Sequence, residues 1–259
     1  MVITTAIEAS SSADHWSSKK YVKNASFVPA LGTPVLDLLN PQSHERILDL
    51  GAGDGVLTVR IQERCQSVIA TDASAAMIEA AKRNGCKDAR VVDGHDLVND
   101  PGLATGEFDA VFSNADPSKV VEGVAKCLKP GGRFVAECGG FLNCATVRIG
   151  LHAALRRRGV DPSTVDPWFF PAPATYKAIL EKHGFVVKYI ELIPRHTQLN
   201  TDVAGWIDTF GFTFLEPLDE EDRKRVAQEV QDELQVSCQR EDGVWFMDYV
   251  RLRFECIKP

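Results

Sequence analysis

The stretch Arg46-Ile47-Leu48-Asp49-Leu50-Gly51-Ala52-Gly53-Asp54-Gly55, continued by Val56-Leu57-Thr58-Val59-Arg60-Ile61, constrains the fold of this chain more than any other. An apolar run that stops at alternating glycines and resumes at helical spacing predicts a buried strand turning sharply into a helix. Such a turn offers bare backbone to a nucleotide-like ligand. A dinucleotide fold spaces its glycines as G-x-G-x-x-G, the third one serving helix packing. Here glycines stand at 51, 53 and 55 and Val occupies 56, so the pattern is D-x-G-x-G-x-G. Val56 disfavours a NAD-dependent reductase.

The pattern, with Asp49 on the strand, resembles motif I of the class I S-adenosylmethionine-dependent methyltransferases. That cofactor carries no phosphate, and its adenosine and amino-acid ends need an open turn, which Gly51 and Gly53 supply by letting the backbone lie flat beneath it.

The 259 residues, 44% of them hydrophobic, suffice for one large domain with elaborated lids. A net charge of −7 excludes a broad basic surface for nucleic acid, and a small-molecule substrate is expected. The seven cysteines are odd in number and show no metal spacing, so they read as reduced thiols with no metal bound. Residues 1–14 lack the pattern of a signal peptide, and no stretch reaches 18 uninterrupted apolar residues. The expectation is a cytoplasmic protein without membrane contact.

Residues 1–14, rich in Ser, Thr and Ala, are expected to form a mobile tail, and 15–259 a single domain. Trp16, Tyr21 and Phe27 precede a short amphipathic helix that ends at Asn40-Pro41. Tyr21 and Phe27 are candidates for a lid or for core packing. Ser67–Asp72 is a second buried strand, and Asp72, 21 residues beyond Gly51, can accept hydrogen bonds from both ribose hydroxyls. Ser74 caps the next helix, to Asn84, with Met77 one turn inside it. Ala89–Leu97 is the third strand and its exit loop, where His95 stands beside Asp93 and Asp96 in a structural role. Phe108–Asn114 is the fourth strand, and Asp116-Pro117 caps a helix from Ser118 to Leu128. Lys129-Pro130-Gly131-Gly132 ends that helix, and Arg133–Glu137 is the fifth strand. Helices are expected at Ala145–Arg158, Tyr176–His183, Asp202–Phe210 and Leu218–Cys238, a sixth strand at Phe185–Ile193 and a last, antiparallel one at Val244–Ile257. The proline-rich Asp161–Ala174, with Trp168-Phe169-Phe170, reads as a lid loop.

Alternating strands and helices with carboxylates after strands one to three imply an α/β, Rossmann-like, doubly wound sheet of seven strands, ligand at the carboxyl edge. The resemblance extends through FDAVFSNA, LKPGGRFVAE, PWFFPAPATYKAILEKHGF, PRHTQL, GWIDTFG and DGVWFMDYVRLRF, and over these the chain is similar to the trans-aconitate methyltransferase-like branch. It implies S-adenosyl-L-methionine as cofactor, held by Asp49, Gly51, Ala52, Gly53, Asp72, Ala73, Met77, Asp93, Gly94, Asn114 and Tyr21. Asp93 would take the adenine amino group, with Asp96 as the alternative. Lids are expected at about 15–40, 160–184 and 195–240, and Phe27, Trp168, Phe170, Arg195 and Trp206 are expected to bind the acceptor. Phe169 joins that aromatic wall, and Arg251 is a second guanidinium able to hold a carboxylate.

One departure stands out. Where relatives continue strand four with an Ala-Leu-His-Trp-like run, Ser113-Asn114-Ala115 passes directly to Asp116-Pro117. No catalytic residue is assigned. The expected activity is O-methylation of a small carboxylic acid; the alternatives are methylation of a phenol, thiol or amine, or cofactor binding without catalysis in a regulator or partner subunit.

Overall fold

The computed structural model describes residues 31–114 and 120–259. The expected tail, Trp16, Tyr21, Phe27 and the Asp116-Pro117 cap lie outside the described residues.

Helix α1 (Thr33–Leu39) opens with Pro34 in its first turn and closes at Asn40, whose left-handed backbone (φ 46°) ends the helix just before Pro41. Strand β1 (Arg46–Leu50) follows, then α2 (Val56–Gln62), β2 (Ser67–Asp72), α3 (Ala75–Arg83) and β3 (Ala89–Val91). Ser74 caps α3 by accepting from the Met77 N–H at 3.3 Å. The middle of the chain gives β4 (Phe108–Ser113), α4 (Val121–Cys127), β5 (Leu128–Gly139) and α5 (Ala145–Arg157). Then come α6 (Pro173–Lys182), β6 (Val186–Gln198), α7 (Val203–Phe210), α8 (Phe212–Leu215), α9 (Glu220–Cys238) and β7 (Phe246–Ile257).

Among the described residues the seven strands form one sheet, ordered β3-β2-β1-β4-β5-β7-β6. β7 runs antiparallel to both of its neighbours, and the other pairings are parallel. Successive side chains of a strand point to opposite faces, and the sequence is apolar at both sets of positions. Ile47 and Phe112 therefore pack on one face with α1 and α2, while Leu48 and Val111 pack on the other with α4, α6 and the Phe134–Phe254 pair. A third core lies beside the sheet, where α5, α7, α8 and α9 bury Leu151, Trp206, Phe214 and Val230 against Met247 of β7. These helices form a cap.

The structure changes several boundaries. The Lys129–Gly132 turn is continuous with β5, which begins at Leu128, although its regular pairing with β4 starts only at Arg133. β6 runs to Gln198 instead of Ile193, because β7 pairs with it along its whole length. Pro194 is no obstacle there: β6 is the edge strand, so the missing N–H removes no interior ladder bond. The short α8 was not expected, and α6 starts at Pro173, three residues before the expected Tyr176.

Candidate active site

A cavity of about 480 Å³ opens along the carboxyl ends of β1, β2 and β4 and continues under the helical cap. Its size is within the range of small-molecule sites. Strand order reverses at β1 and β4, which is where doubly wound sheets bind ligands.

At one end the glycine turn forms the floor. Gly51 (φ 72°) and Gly53 (φ 58°) both adopt left-handed backbone that glycine alone takes without strain. The Gly51 and Ala52 N–H groups donate to the Thr71 carbonyl at 2.8 and 2.9 Å, tying the turn to β2. A Cβ built on Gly53 meets nothing within 4 Å, so the glycine leaves open cavity above it. Gly55 differs: a Cβ there would meet Ala81 at 2.8 Å and Cys86 more closely still, so this third glycine serves the packing of α2 on α3. Asp72 lines the cavity beside the turn. Its Oδ2 accepts from the Gly53 N–H at 3.0 Å and its Oδ1 from the Ser74 N–H at 2.9 Å, which fixes the carboxylate's orientation. Ala73, Met77, Asp93, Gly94, His95 and Asn114 complete this end.

At the other end two guanidiniums face the cavity. Arg195 of β6 and Arg251 of β7 both line it, and both lean on Glu137 of β5, a carboxylate with only 1% of its side chain exposed. Arg195 Nη1 is 3.3 Å and Arg251 Nε 3.4 Å from Glu137 Oε1, while Arg253 donates Nε and Nη2 to Oε2 at 2.8 and 2.6 Å. One buried carboxylate is thus shared by three cations. Burial pulls the Arg195 pKa down and Glu137 opposes that fall. The facing wall is aromatic: Trp168 stacks on Phe170 (centroids 5.5 Å) and meets Trp206 edge-on at 5.9 Å. Trp206 Nε1 donates to the Tyr249 hydroxyl at 2.7 Å. Asn143 is placed by the Val250 N–H, which donates to its Oδ1 at 2.9 Å.

A methyltransferase-domain family matches residues 48–136. The uncharacterized methyltransferase C70.08c of Schizosaccharomyces pombe is 40% identical over 254 residues, covering 93% of this chain and 97% of its own length. The fold is shared with BH2331 of Bacillus halodurans C-125, a methyltransferase candidate (TM-score 0.59, 14% identity, 88% of this chain and 98% of that one). It is also shared with phosphoethanolamine N-methyltransferase 2 of Haemonchus contortus, solved with S-adenosyl-L-methionine (TM-score 0.51, 19% identity, 89% of this chain and 52% of that one). The chain belongs to the class I S-adenosylmethionine-dependent methyltransferases. Its cofactor is S-adenosylmethionine.

In this methyltransferase the residues at the glycine end fit that cofactor. An open, side-chain-free floor at Gly53 stands beside a carboxylate whose orientation two backbone donors have set, which is what a flat nucleoside bearing a ribose diol requires. Two residues expected in contact with the cofactor are placed elsewhere. Asp49 is 2% exposed and does not line the cavity. It accepts from the Thr58 hydroxyl at 2.6 Å beneath the turn, and burial, helped by the charge on Asp72, raises its pKa to about 7. Ala52 is also outside the lining, its N–H spent on β2. Asp96, the alternative for the adenine, does not reach the cavity, whereas Asp93 does, with His95 Nδ1 3.0 Å from its Oδ1.

Of the expected acceptor residues, Trp168, Phe170, Arg195 and Trp206 all line the cavity, as does Arg251. Phe169 does not; it is 41% exposed, because adjacent residues of an extended segment face opposite ways. Gly139, Asn143, Cys144, Phe210 and Tyr249 line the cavity without having been singled out from sequence. For Tyr249 the register supplies the signal, since it pairs with Arg195 across β6 and β7. Among the described residues no group of three or more His, Cys, Asp or Glu is arranged to hold a metal ion, and no helix is long and apolar enough to cross a membrane.

Proposed function

We propose that this enzyme methylates a carboxylate oxygen of a small organic acid, in keeping with its resemblance to the trans-aconitate methyltransferase-like branch. The observation that carries the reading is the Arg195–Arg251 pair in the same cavity as Asp72. Arg253 takes one Glu137 oxygen in a two-pronged contact, so two guanidiniums on the cavity side share what remains of that carboxylate. Guanidinium forks match carboxylates in geometry as well as charge. The cofactor, held over Gly53 with its ribose at Asp72, would supply an electrophilic methyl on sulfur, and a carboxylate oxygen, already ionised, would take that methyl without giving up a proton. The chain's own residues align the acceptor and exclude water. The absence of a proton transfer agrees with the site, where His95 belongs to the opposite end and bonds Asp93.

The reading is tested by assaying release of the demethylated cofactor over a panel of carboxylic acids, phenols, thiols and amines. Acids should be turned over, with kcat/KM flat between pH 6 and 8, because a carboxylate with a pKa of about 4 is ionised throughout. Arg195→Ala should raise the acid's KM roughly 10- to 100-fold, the loss of a charge-assisted hydrogen bond, with cofactor affinity retained. Rates climbing about tenfold per pH unit, with Arg195→Ala as active as the native enzyme, would replace the carboxylate by a phenol, thiol or amine.

A further inference from the structure

We infer that the acceptor is a monocarboxylate with an apolar body, its carboxylate at the arginine pair and its hydrocarbon running between the aromatic rings toward an exposed seam. The inference rests on the carboxylate reading and adds the chemistry of the rest of the molecule. Ile193 pairs with Arg251, so Arg195 stands two residues along and diagonal to Arg251 on the same sheet face. Diagonal side chains of that kind lie close enough for long side chains to converge. Together they make one anionic subsite, and Glu137 already occupies part of it. Among the described residues, no other Arg or Lys lines the cavity.

The surface opposite the pair is Trp168, Phe170, Trp206 and Phe210, with the buried Cys144 beside them. Burial raises the Cys144 thiol pKa well above its ordinary value, so it stays protonated and behaves as an apolar neighbour. Among the described residues, a second carboxylate on the acceptor would find the Tyr249 and Asn143 side chains but no further cation. A hydrocarbon chain needs none.

The aromatic wall also continues outward. Phe170 packs directly on Gly139, where any Cβ would fall inside van der Waals contact of its ring, and the Phe141 N–H donates to the Pro171 carbonyl at 3.0 Å. These two contacts join the 165–171 loop to the loop after β5 along one seam. At that seam Phe141, Leu142 and Phe169 are 53%, 58% and 41% exposed. Leu142 holds a left-handed backbone (φ 70°) unusual for a branched residue, so the loop that presents this group is strained. None of the three lines the cavity; they gather on the outer side of the seam, where only a tail long enough to pass it would meet them.

The experiment compares butanoate, hexanoate, octanoate and decanoate with the dicarboxylate adipate, following methyl ester by mass spectrometry. kcat/KM should rise about fourfold per CH2 until the cavity is filled, the fold-change equivalent to about 0.8 kcal/mol per buried methylene. Hexanoate should exceed adipate, its match in length, by at least about tenfold, a charge left without a partner being the more costly of the two. The Phe141→Ser, Phe169→Ser double variant should lose about tenfold in kcat/KM for decanoate, with S-adenosylhomocysteine affinity by calorimetry reporting an intact fold. Adipate matching or exceeding hexanoate, no gain with chain length, or a double variant equal to the native enzyme on decanoate each overturn the inference while leaving the carboxylate reading in place. Methylation of phenols, thiols or amines alone, or of none of the acids, overturns both.

Discussion

At the scale of single residues, the turn after β1 separates its three glycines by what each one faces. Gly51 ties the turn to β2 at the cavity edge, Gly53 faces open cavity and Gly55 faces α3, while Asp49 lies beneath the turn without lining the cavity. The sequence put Asp49 with Gly51 and Gly53 in the cofactor set, because the chain must turn within the same few residues for all these purposes. Asp49 has a measurable consequence. The fold holds its proton to a pKa of about 7, against 3.8 for the free side chain. Between those values the folded state binds more protons than the unfolded one, so stability falls as pH rises from about 4 to 7 and levels off above. The whole effect is on the order of 4 kcal/mol, at 1.36 kcal/mol per pKa unit. Asp49→Asn removes the ionisable group and can still accept from Thr58. It should therefore be more stable than the native protein at pH 8, with the difference shrinking toward pH 5 in urea unfolding. A constant difference at both pH values would show that Asp49 stays ionised.

At the scale of elements, the aromatic wall depends on a clamp between α5 and the loop that follows it. Asp166, its side chain 6% exposed, accepts from Arg148 Nε at 2.7 Å and from the Trp168 N–H at 3.0 Å, and lies 2.7 Å from His152 Nε2. Arg148 Nη2 donates to the Trp168 carbonyl at 3.0 Å, and its guanidinium sits 5.6 Å over the Phe170 ring. Both polar groups of the Trp168 backbone are thereby held by one ion pair, which sets the ring's position. Asp166→Ala should raise the acceptor's KM by roughly tenfold, through loss of about one charged hydrogen bond's worth of positioning, and change cofactor affinity less than twofold. Equal losses in both would make the clamp a global stabiliser instead. The loop's character was legible from four prolines around three aromatic residues, but the clamp was not, since nothing in a sequence shows which acid a helix arginine meets. The same limit hid the length of β6. Pro194 reads as a strand end, and only the edge position of β6, with β7 pairing along it, makes proline harmless and puts Arg195 on the sheet opposite Tyr249.

At the scale of the whole molecule, the fold order was readable because parallel strands buried on both faces appear as apolar runs punctuated by Gly and Asp. The union of two unlike halves in one cavity was not, because it depends on antiparallel register between β5, β6 and β7. The sheet side provides Gly53, Asp72 and Met77, from the turn after β1, the end of β2 and the start of α3, beside the core that α1 and α2 share with the sheet. The cap side provides Trp168, Trp206 and Phe210 from the separate core of α5, α7, α8 and α9. Contiguous cores of this kind open as units, so each ligand should quiet its own half. Hydrogen exchange with S-adenosylhomocysteine should slow the amides of residues 51–55 and 72–77 while α7 exchanges as in the free protein. Addition of the acceptor to that complex should then slow residues 166–170 and α7. The cap can remain open after the cofactor binds because the described contacts of Trp168 and Trp206 are with one another, the cap and β7, and none is with the glycine turn. If S-adenosylhomocysteine alone slows α7 as much as the turn, the halves form one cooperative unit and the acceptor enters a cavity already closed around it.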